Sequence, residues 1–125
     1  MTDSLEVARN VALTTFRRDG RAVSTPVWVV KVGERPYVNT EAGSGKVKRL
    51  RNNPRIRIAP CTMSGRPLAE EREGTARVVD DAALVRRVND AIRAKYGLMA
   101  SVYSLFALFS RRARERVILE VQLPA

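Results

Sequence analysis

Nine residues near the middle of the chain, Asn39-Thr40-Glu41-Ala42-Gly43-Ser44-Gly45-Lys46-Val47, carry the pattern best suited to chemistry. Gly-Ser-Gly frees the backbone after an extended run, and Ser44 is a good helix N-cap. A helix opening there presents unpaired N–H groups beside the Lys46 ammonium, a setting that suits a phosphate group. Lys46 and Arg49 are three apart and share one helical face, while Val47 and Leu50 share the opposite, apolar one. From Gly43 to Ile58 stand six cations, Lys46, Lys48, Arg49, Arg51, Arg55 and Arg57, and no acid. The segment fails as a nucleotide P-loop, which needs Gly where Thr40 stands and Ser or Thr where Val47 stands. A solvated basic face is the plainer account of these charges; the glycine-opened helix start favours anion binding.

The whole chain has 125 residues, 23 Lys+Arg against 13 Asp+Glu, a formal charge of +10 and no His. That length predicts one domain over residues 1–125. Without His there is no Ser-His-Asp or Cys-His triad and no His-bearing zinc site, so no metal site is expected. The charge predicts a polyanionic partner. A lone Cys61 excludes an internal disulfide framework and fits a reducing compartment, and the polar, acidic Met1 to Asn10 is no secretory signal. A cytoplasmic protein is the expectation. The most apolar stretch, Tyr96 to Ser110, is 15 residues long and ends near Arg111, Arg112 and Arg114. It is short of the roughly 20 a membrane helix needs. Burial against its own protein or a second subunit, or peripheral contact with anionic lipid, remain as its readings.

These residues need elements to position them. Residues 3–10 read as a short helix. Val11 to Arg18 reads as a strand, Asp19-Gly20 as a type I′ hairpin turn, and Arg21 to Lys31 as the returning strand. Gly33-Glu34 turns the chain into a third strand, Arg35 to Thr40. A short helix follows Ser44 and stops before Pro54. Arg55 to Ala59 alternates as a half-buried strand, and Glu71 to Val79 makes another. Asp80-Asp81 caps a helix with the stripe Leu84, Val85, Val88, Ile92 and the stop Gly97. A more apolar helix is expected over residues 98–109, and Val117 to Val121 closes the chain as a strand. The sum is an α+β, six-stranded antiparallel barrel-like domain with inserted helices.

Four motifs in order resemble a known family: Asp19-Gly20-Arg21 before Ser24-Thr25-Pro26-Val27-Trp28; Tyr37-Val38-Asn39-Thr40; Ser44-Gly45-Lys46-Val47-Lys48-Arg49-Leu50; and Asn53-Pro54-Arg55-Ile56. Together they resemble the flavin and deazaflavin oxidoreductases of the pyridoxamine-phosphate-oxidase-like split β-barrel, and within it the deazaflavin (coenzyme F-420) dependent branch common in actinobacteria. The resemblance implies that Thr25, Pro26, Val27 and Trp28 lie on the strand along the tricyclic ring. It places Thr40 beside the ribityl-phosphate, and Ser44 and Lys46 on the phosphate with Arg49 as a further anchor. Lys48 adds flanking charge, Arg55 and Arg57 lie towards the tail or outer phosphate, and Ala59, Pro60 and Cys61 flank the ring from the next strand. It also implies a homodimer with the cofactor between subunits.

Read from the residues alone, Trp28 is equally a core aromatic, Cys61 a small buried hydrophobe, and Tyr37, Tyr96 and Tyr103 core residues ahead of proton donors. Six cations exceed what the single phosphate of FMN requires and match better a cofactor with a phosphodiester and an oligoglutamate tail. The expected activity is hydride transfer from reduced coenzyme F-420 to an electron-poor small molecule, with catalytic residues unassigned. An FMN- or haem-binding split barrel is the alternative. A groove for single-stranded nucleic acid is disfavoured, because aromatics are 6% and do not interleave with the cations.

Overall fold

The computed structural model describes residues 8–97, 99 and 116–124. Apart from the helical Met99, the expected helix over 98–109, with Tyr103, and most of the first helix lie outside them. Asn10, the last residue of that first helix in the sequence reading, is already strand. Among the described residues the named elements are seven strands and two helices: β1 (Asn10–Phe16), β2 (Ala22–Val27), β3 (Val29–Val32), β4 (Arg35–Glu41), α1 (Gly45–Asn52), β5 (Arg55–Cys61), β6 (Arg72–Val79), α2 (Ala82–Tyr96) and β7 (Arg116–Gln122). They form one antiparallel sheet in the order β2-β1-β5-β6-β7-β4-β3. The sheet has seven strands rather than six, and its ladder is not closed.

The additional strand comes from a break at Trp28. Arg21 to Lys31 reads as one strand because its Val- and Thr-rich pattern is continuous, but its partner changes midway. Val27 pairs with Val11 on β1, whereas Val29 pairs with Val38 on β4. β2 and β3 are therefore the opposite ends of the sheet, joined through a single residue. The sheet must curl until its two ends approach. The enclosed interior draws Val11, Leu13, Val27, Val29, Val38, Ile56, Ile58, Ala76, Leu119 and Val121 from all seven strands, with Leu50 of α1. Burying those side chains is the main driving force for the curl.

A second cluster lies on the outer face of β3, β4 and β7, where Val30, Tyr37 and Ile118 meet Val88, Ile92 and Tyr96 of α2. The stripe read in the sequence is the one buried here, with Leu84 and Val85 at its margin. Asp81 caps α2 by accepting from the Leu84 N–H at 2.9 Å, and Gly97 ends it at φ +53°. The last turn of α2 also ties down the strand break. The Tyr96 hydroxyl accepts from the Val29 N–H (3.1 Å) and lies 2.8 Å from the Arg9 carbonyl, to which it donates. The Lys95 ammonium donates to the Val29 carbonyl at 2.7 Å, and the Trp28 and Tyr96 rings stack 4.4 Å apart. The backbone N–H and carbonyl of Val29, at the start of β3, are thus satisfied by side chains, as buried backbone groups must be.

The first hairpin differs from the expected type I′ turn. That turn needs positive φ at both central residues, but only Gly20 (φ +90°) has it. The Gly20 N–H donates to the Arg17 carbonyl and the Arg17 N–H to the Arg21 carbonyl, both at 2.9 Å, so the loop has three residues and closes on a glycine bulge. The Asp19 carboxylate accepts from the Arg21 N–H at 3.0 Å, which stabilises the longer loop. Gly33 opens the two-residue turn between β3 and β4 at φ +62°, as read. No described helix is long and apolar enough to cross a membrane.

Two substitutions test this frame. A Cβ at Gly74 on β6 would stand 2.4 Å from the Gln122 carbonyl oxygen and 2.8 Å from Leu123 Cδ2. Gly74→Ala should therefore cost about 1–3 kcal/mol, read as a lower urea midpoint at unchanged slope. Tyr96→Phe keeps the stack on Trp28 but strips the Val29 and Arg9 contacts. It should cost about 1–3 kcal/mol and, since Trp28 is the sole tryptophan, alter native tryptophan emission.

Candidate anion site and its surroundings

Helix α1 is held by its apolar face. Val47 and Leu50 are buried, which fixes how the polar face is presented. Ser44 is the N-cap, its Oγ accepting from the Val47 N–H at 3.5 Å, and its own N–H donates to the Glu41 carbonyl at 3.1 Å. The helix start therefore sits directly on the end of β4. Arg49 reaches back along the helix. Its Nε donates to the fully buried Thr15 hydroxyl at 2.6 Å. Its guanidinium covers the first turn so closely that a Cβ at Gly45 would stand 2.6 Å from Nη1, and any side chain there would push the guanidinium aside.

Cations crowd this point. Burial pulls the Lys46 ammonium below its usual pKa, and the charge of Arg49 pushes the same way; Glu41 opposes and Arg116 adds to the lowering. Arg49 is also lowered, first by burial and then by Arg17. Two half-buried cations beside the positive end of a helix repel one another and the helix dipole. An anion relieves all three repulsions at once, so the donor set fits a phosphate.

The ring-flanking residues of the sequence reading fall into rows across β2, β1 and β5. Thr25, Leu13 and Ile58 are in register, as are Val27, Val11 and Pro60, on the interior side of the sheet. Pro26, Ala12 and Ala59 form a row on the other side, which Cys61 shares. β1 lies between the strands carrying the two groups, so Ala59, Pro60 and Cys61 are not on the strand next to β2. Thr25 stands opposite Leu13, and Arg49 reaches Thr15, two residues further on the same side of β1. The β2 residue opposite Thr15 is Val23, so Thr25 stands one same-side position along β2 from it. Its Oγ1 is shielded from solvent and has no hydrogen-bond partner among the described residues. Thr40 is buried on β4 opposite Val117, and Lys48 is exposed on α1.

Other candidates are engaged elsewhere. Arg55 and Arg57 bond Glu73 at 2.9 and 3.4 Å and lie over the Phe16 ring. They project from the side of β5 opposite Ile56 and Ile58, so the structure does not gather them with Lys46 and Arg49. Trp28 is stacked on Tyr96. Cys61 is buried, and burial pushes its thiol pKa up, so it packs as a small apolar residue.

Several polar residues here escape sequence reading. Thr15 sits in an unbroken buried strand, and Arg116 lies 70 positions beyond Lys46. Only cross-strand pairing of Glu41 with Arg116 brings the latter to the site. Glu120 is a third case. Its buried carboxylate accepts from Arg35 (2.7 Å), Arg77 (3.1 Å) and the Tyr37 hydroxyl (3.1 Å). Burial alone would raise its pKa, yet the bonds from Tyr37 and Arg77, the Arg77 charge and the Arg35 bond outweigh it and leave the pKa below the ordinary 4.5. Burial and Glu120 together raise Tyr37, which stays a neutral donor to Glu120.

A carboxylate lowered in the folded state stabilises the protein above its unfolded pKa and loses that contribution as pH falls through the folded value. Glu120→Gln should thus destabilise by about 1–3 kcal/mol at pH 7. In urea titrations the gap between the two proteins should shrink steadily below pH 4.5; a gap independent of pH would refute the charged role.

Over residues 1–124 the chain matches the family model described as pyridoxamine 5'-phosphate oxidase. No curated protein sequence matches it significantly. Among solved structures it resembles the conserved hypothetical protein Rv2991 from Mycobacterium tuberculosis, with TM-score 0.73 and 18% identity over 100% of this chain and 82% of that one. It also resembles the haem storage protein HutZ from Vibrio cholerae, with TM-score 0.71 and 14% identity over 97% of this chain and 85% of HutZ. General Stress Protein 26 from Bacillus anthracis aligns with TM-score 0.61 and 22% identity over 93% of this chain and 80% of that one. Identities this low establish the fold alone. The family match over nearly the full length goes further: the chain belongs to the pyridoxamine 5'-phosphate oxidase family of split β-barrels.

Proposed function

We propose that this protein is an oxidoreductase that binds coenzyme F-420 and directs hydride to an electron-poor small molecule, acting as a homodimer with the cofactor between subunits. The carrying observation is the pair Lys46 and Arg49, half-buried at the start of α1 and repelling each other. Ser44, Lys46 and Arg49 would hold the cofactor phosphate, and the Thr25 hydroxyl, without a partner among the described residues, adds a polar group on β2. When bound, the deazaflavin supplies the hydride chemistry. The chain's own residues bind the phosphate, orient the ring through β2 and exclude water. Tyr37 donates to Glu120 and Tyr96 to backbone carbonyls, so among the described tyrosines neither offers a free proton, and solvent or Tyr103 would supply it. The sequence assigns surplus charge for an acidic tail to Arg55 and Arg57, but these are engaged with Glu73. Arg17, whose charge acts on Arg49, supports the reading in their place.

FMN is the second reading, since one phosphate would also satisfy the site. Haem fits less well. The chain has no His, and its one cysteine thiol is buried with a raised pKa.

Titration of the purified protein with coenzyme F-420 and with FMN, followed by cofactor fluorescence, separates these readings. Micromolar binding of the first and not the second supports the proposal, and binding of neither sinks both. Lys46→Ala should weaken cofactor binding by about 1.5–3 kcal/mol, the range for a hydrogen bond to a charged group.

A further inference from the structure

We infer that the hairpin between β5 and β6 is the surface on which two copies of this chain meet, with Arg66 of each copy facing Glu70 and Glu71 of the other. The inference rests on the homodimer proposed above and names its contact surface. The hairpin continues past the end of β5. Cys61 bridges Pro67, and the Leu68 N–H donates to the Pro60 carbonyl at 2.8 Å. At the tip the Thr62 N–H donates to the Arg66 carbonyl and the Gly65 N–H to the Thr62 carbonyl, both at 2.9 Å, and Gly65 takes φ +92°. The Thr62 hydroxyl accepts from the Arg66 N–H at 3.1 Å. Cys61 pairs with Pro67 but Ile58 with Arg72, so Leu68, Ala69, Glu70 and Glu71 stand opposite Ala59 and Pro60 alone and form a bulge.

This hydrogen-bonded hairpin carries apolar side chains into water. Met63 at the tip is 80% exposed and Leu68 on the bulge 66%. Apolar side chains on a backbone already fixed by folding make good anchors, because little further ordering is needed when a partner covers them. The charges choose the partner. Arg66, Glu70 and Glu71 are exposed, and their side chains make no ion pair or hydrogen bond among the described residues. A partner of one charge sign satisfies only part of this set. A second copy related by a two-fold axis satisfies both signs, because every contact of such an interface is repeated in reverse. Net charge points the same way. The chain is +10, so two copies repel over most of their surfaces. From Cys61 to Glu71 there are one cation and two acids, so no surplus positive charge opposes close approach there. The tip also lies against β2, since a Cβ on Gly65 would stand 3.9 Å from Pro26 Cδ. A copy docked on the hairpin therefore borders the strand to which the proposed function assigns the cofactor ring.

Sedimentation equilibrium of the full chain measures self-association of wild type, Leu68→Asp, Arg66→Glu and Glu70→Arg/Glu71→Arg, with circular dichroism to follow the fold. The substituted positions are exposed, so the spectra should match wild type. Wild type should be a dimer at micromolar concentration, and each variant should weaken the dimer roughly tenfold or more. An equimolar mixture of Arg66→Glu with Glu70→Arg/Glu71→Arg should dimerise again, since every charge contact across the two-fold then joins opposite signs. That recovery also requires both variants to be folded. A wild-type dimer that the variants leave unchanged, or a mixture that stays monomeric, overturns the hairpin as the contact surface and leaves the homodimer reading standing. A wild type that is itself monomeric in the same experiment overturns both.

Discussion

One residue joins the two ends of the sheet, and the rest of the molecule is arranged around holding it there. β2 and β3 are consecutive in the chain, separated by Trp28, yet they are the first and last strands in the sheet order. An open sheet whose ends are joined by a single residue cannot lie flat. The curl is sustained from inside by a core to which every strand contributes, and from outside by α2. The last turn of α2 fastens the join. Tyr96 and Lys95 take up the N–H and carbonyl of Val29, and Tyr96 covers the ring of Trp28. An unsatisfied pair of buried backbone groups at that point would cost about as much as a fold of this size can spare. The clamp is therefore a condition of the fold.

That curl decides which residues meet. It leaves β4 beside β7, which brings Arg116 opposite Glu41, and it places α1 over the interior end of β1. Lys46 and Arg49 of α1 feel the charges of Arg116 at the start of β7 and of Arg17 after β1 respectively, and repel each other. Such an arrangement weakens the empty protein. Burial lowers the readiness of Lys46 and Arg49 to hold their charge, and what sustains it is packing of Val47 and Leu50 on the other side of the same helix. Folding energy from the apolar face holds in place a polar face on which two half-buried cations repel each other.

Other arginines are paired with carboxylates. Glu73 serves Arg55 and Arg57, and Glu120 serves Arg35 and Arg77. The six cations between Gly43 and Ile58 are one run in the chain but two populations in space. Alternation along β5 turns Arg55 and Arg57 to the side opposite the interior, where they lie over Phe16. Charge density counted along a sequence overstates local charge wherever the run crosses from a helix into a strand.

Local chemistry determined much of this protein without reference to the fold. Ser44 and Asp81 had to cap helices because their side chains reach the free N–H groups of the following turn, and Gly97 had to end one because its left-handed φ is cheap only for glycine. The anion-binding character of Gly43 to Arg49 was equally legible, since a helix start and its cations lie within seven residues. What the tertiary structure alone decided were the facts that depend on partners far along the chain. The Arg21 to Lys31 run looked like one strand because strand propensity is local, whereas its change of partner at Trp28 is imposed by curling of the whole sheet. Glu120 is a single acid in an otherwise apolar terminal strand, and it is a buried counter-charge only because β4 and β6 pair on either side of it. Arg116, Asn39 and Asn89 carry no motif at all. A hydrogen bond between residues fifty positions apart has no signature in sequence spacing, because the distance that matters is set by the packing of α2 against the sheet.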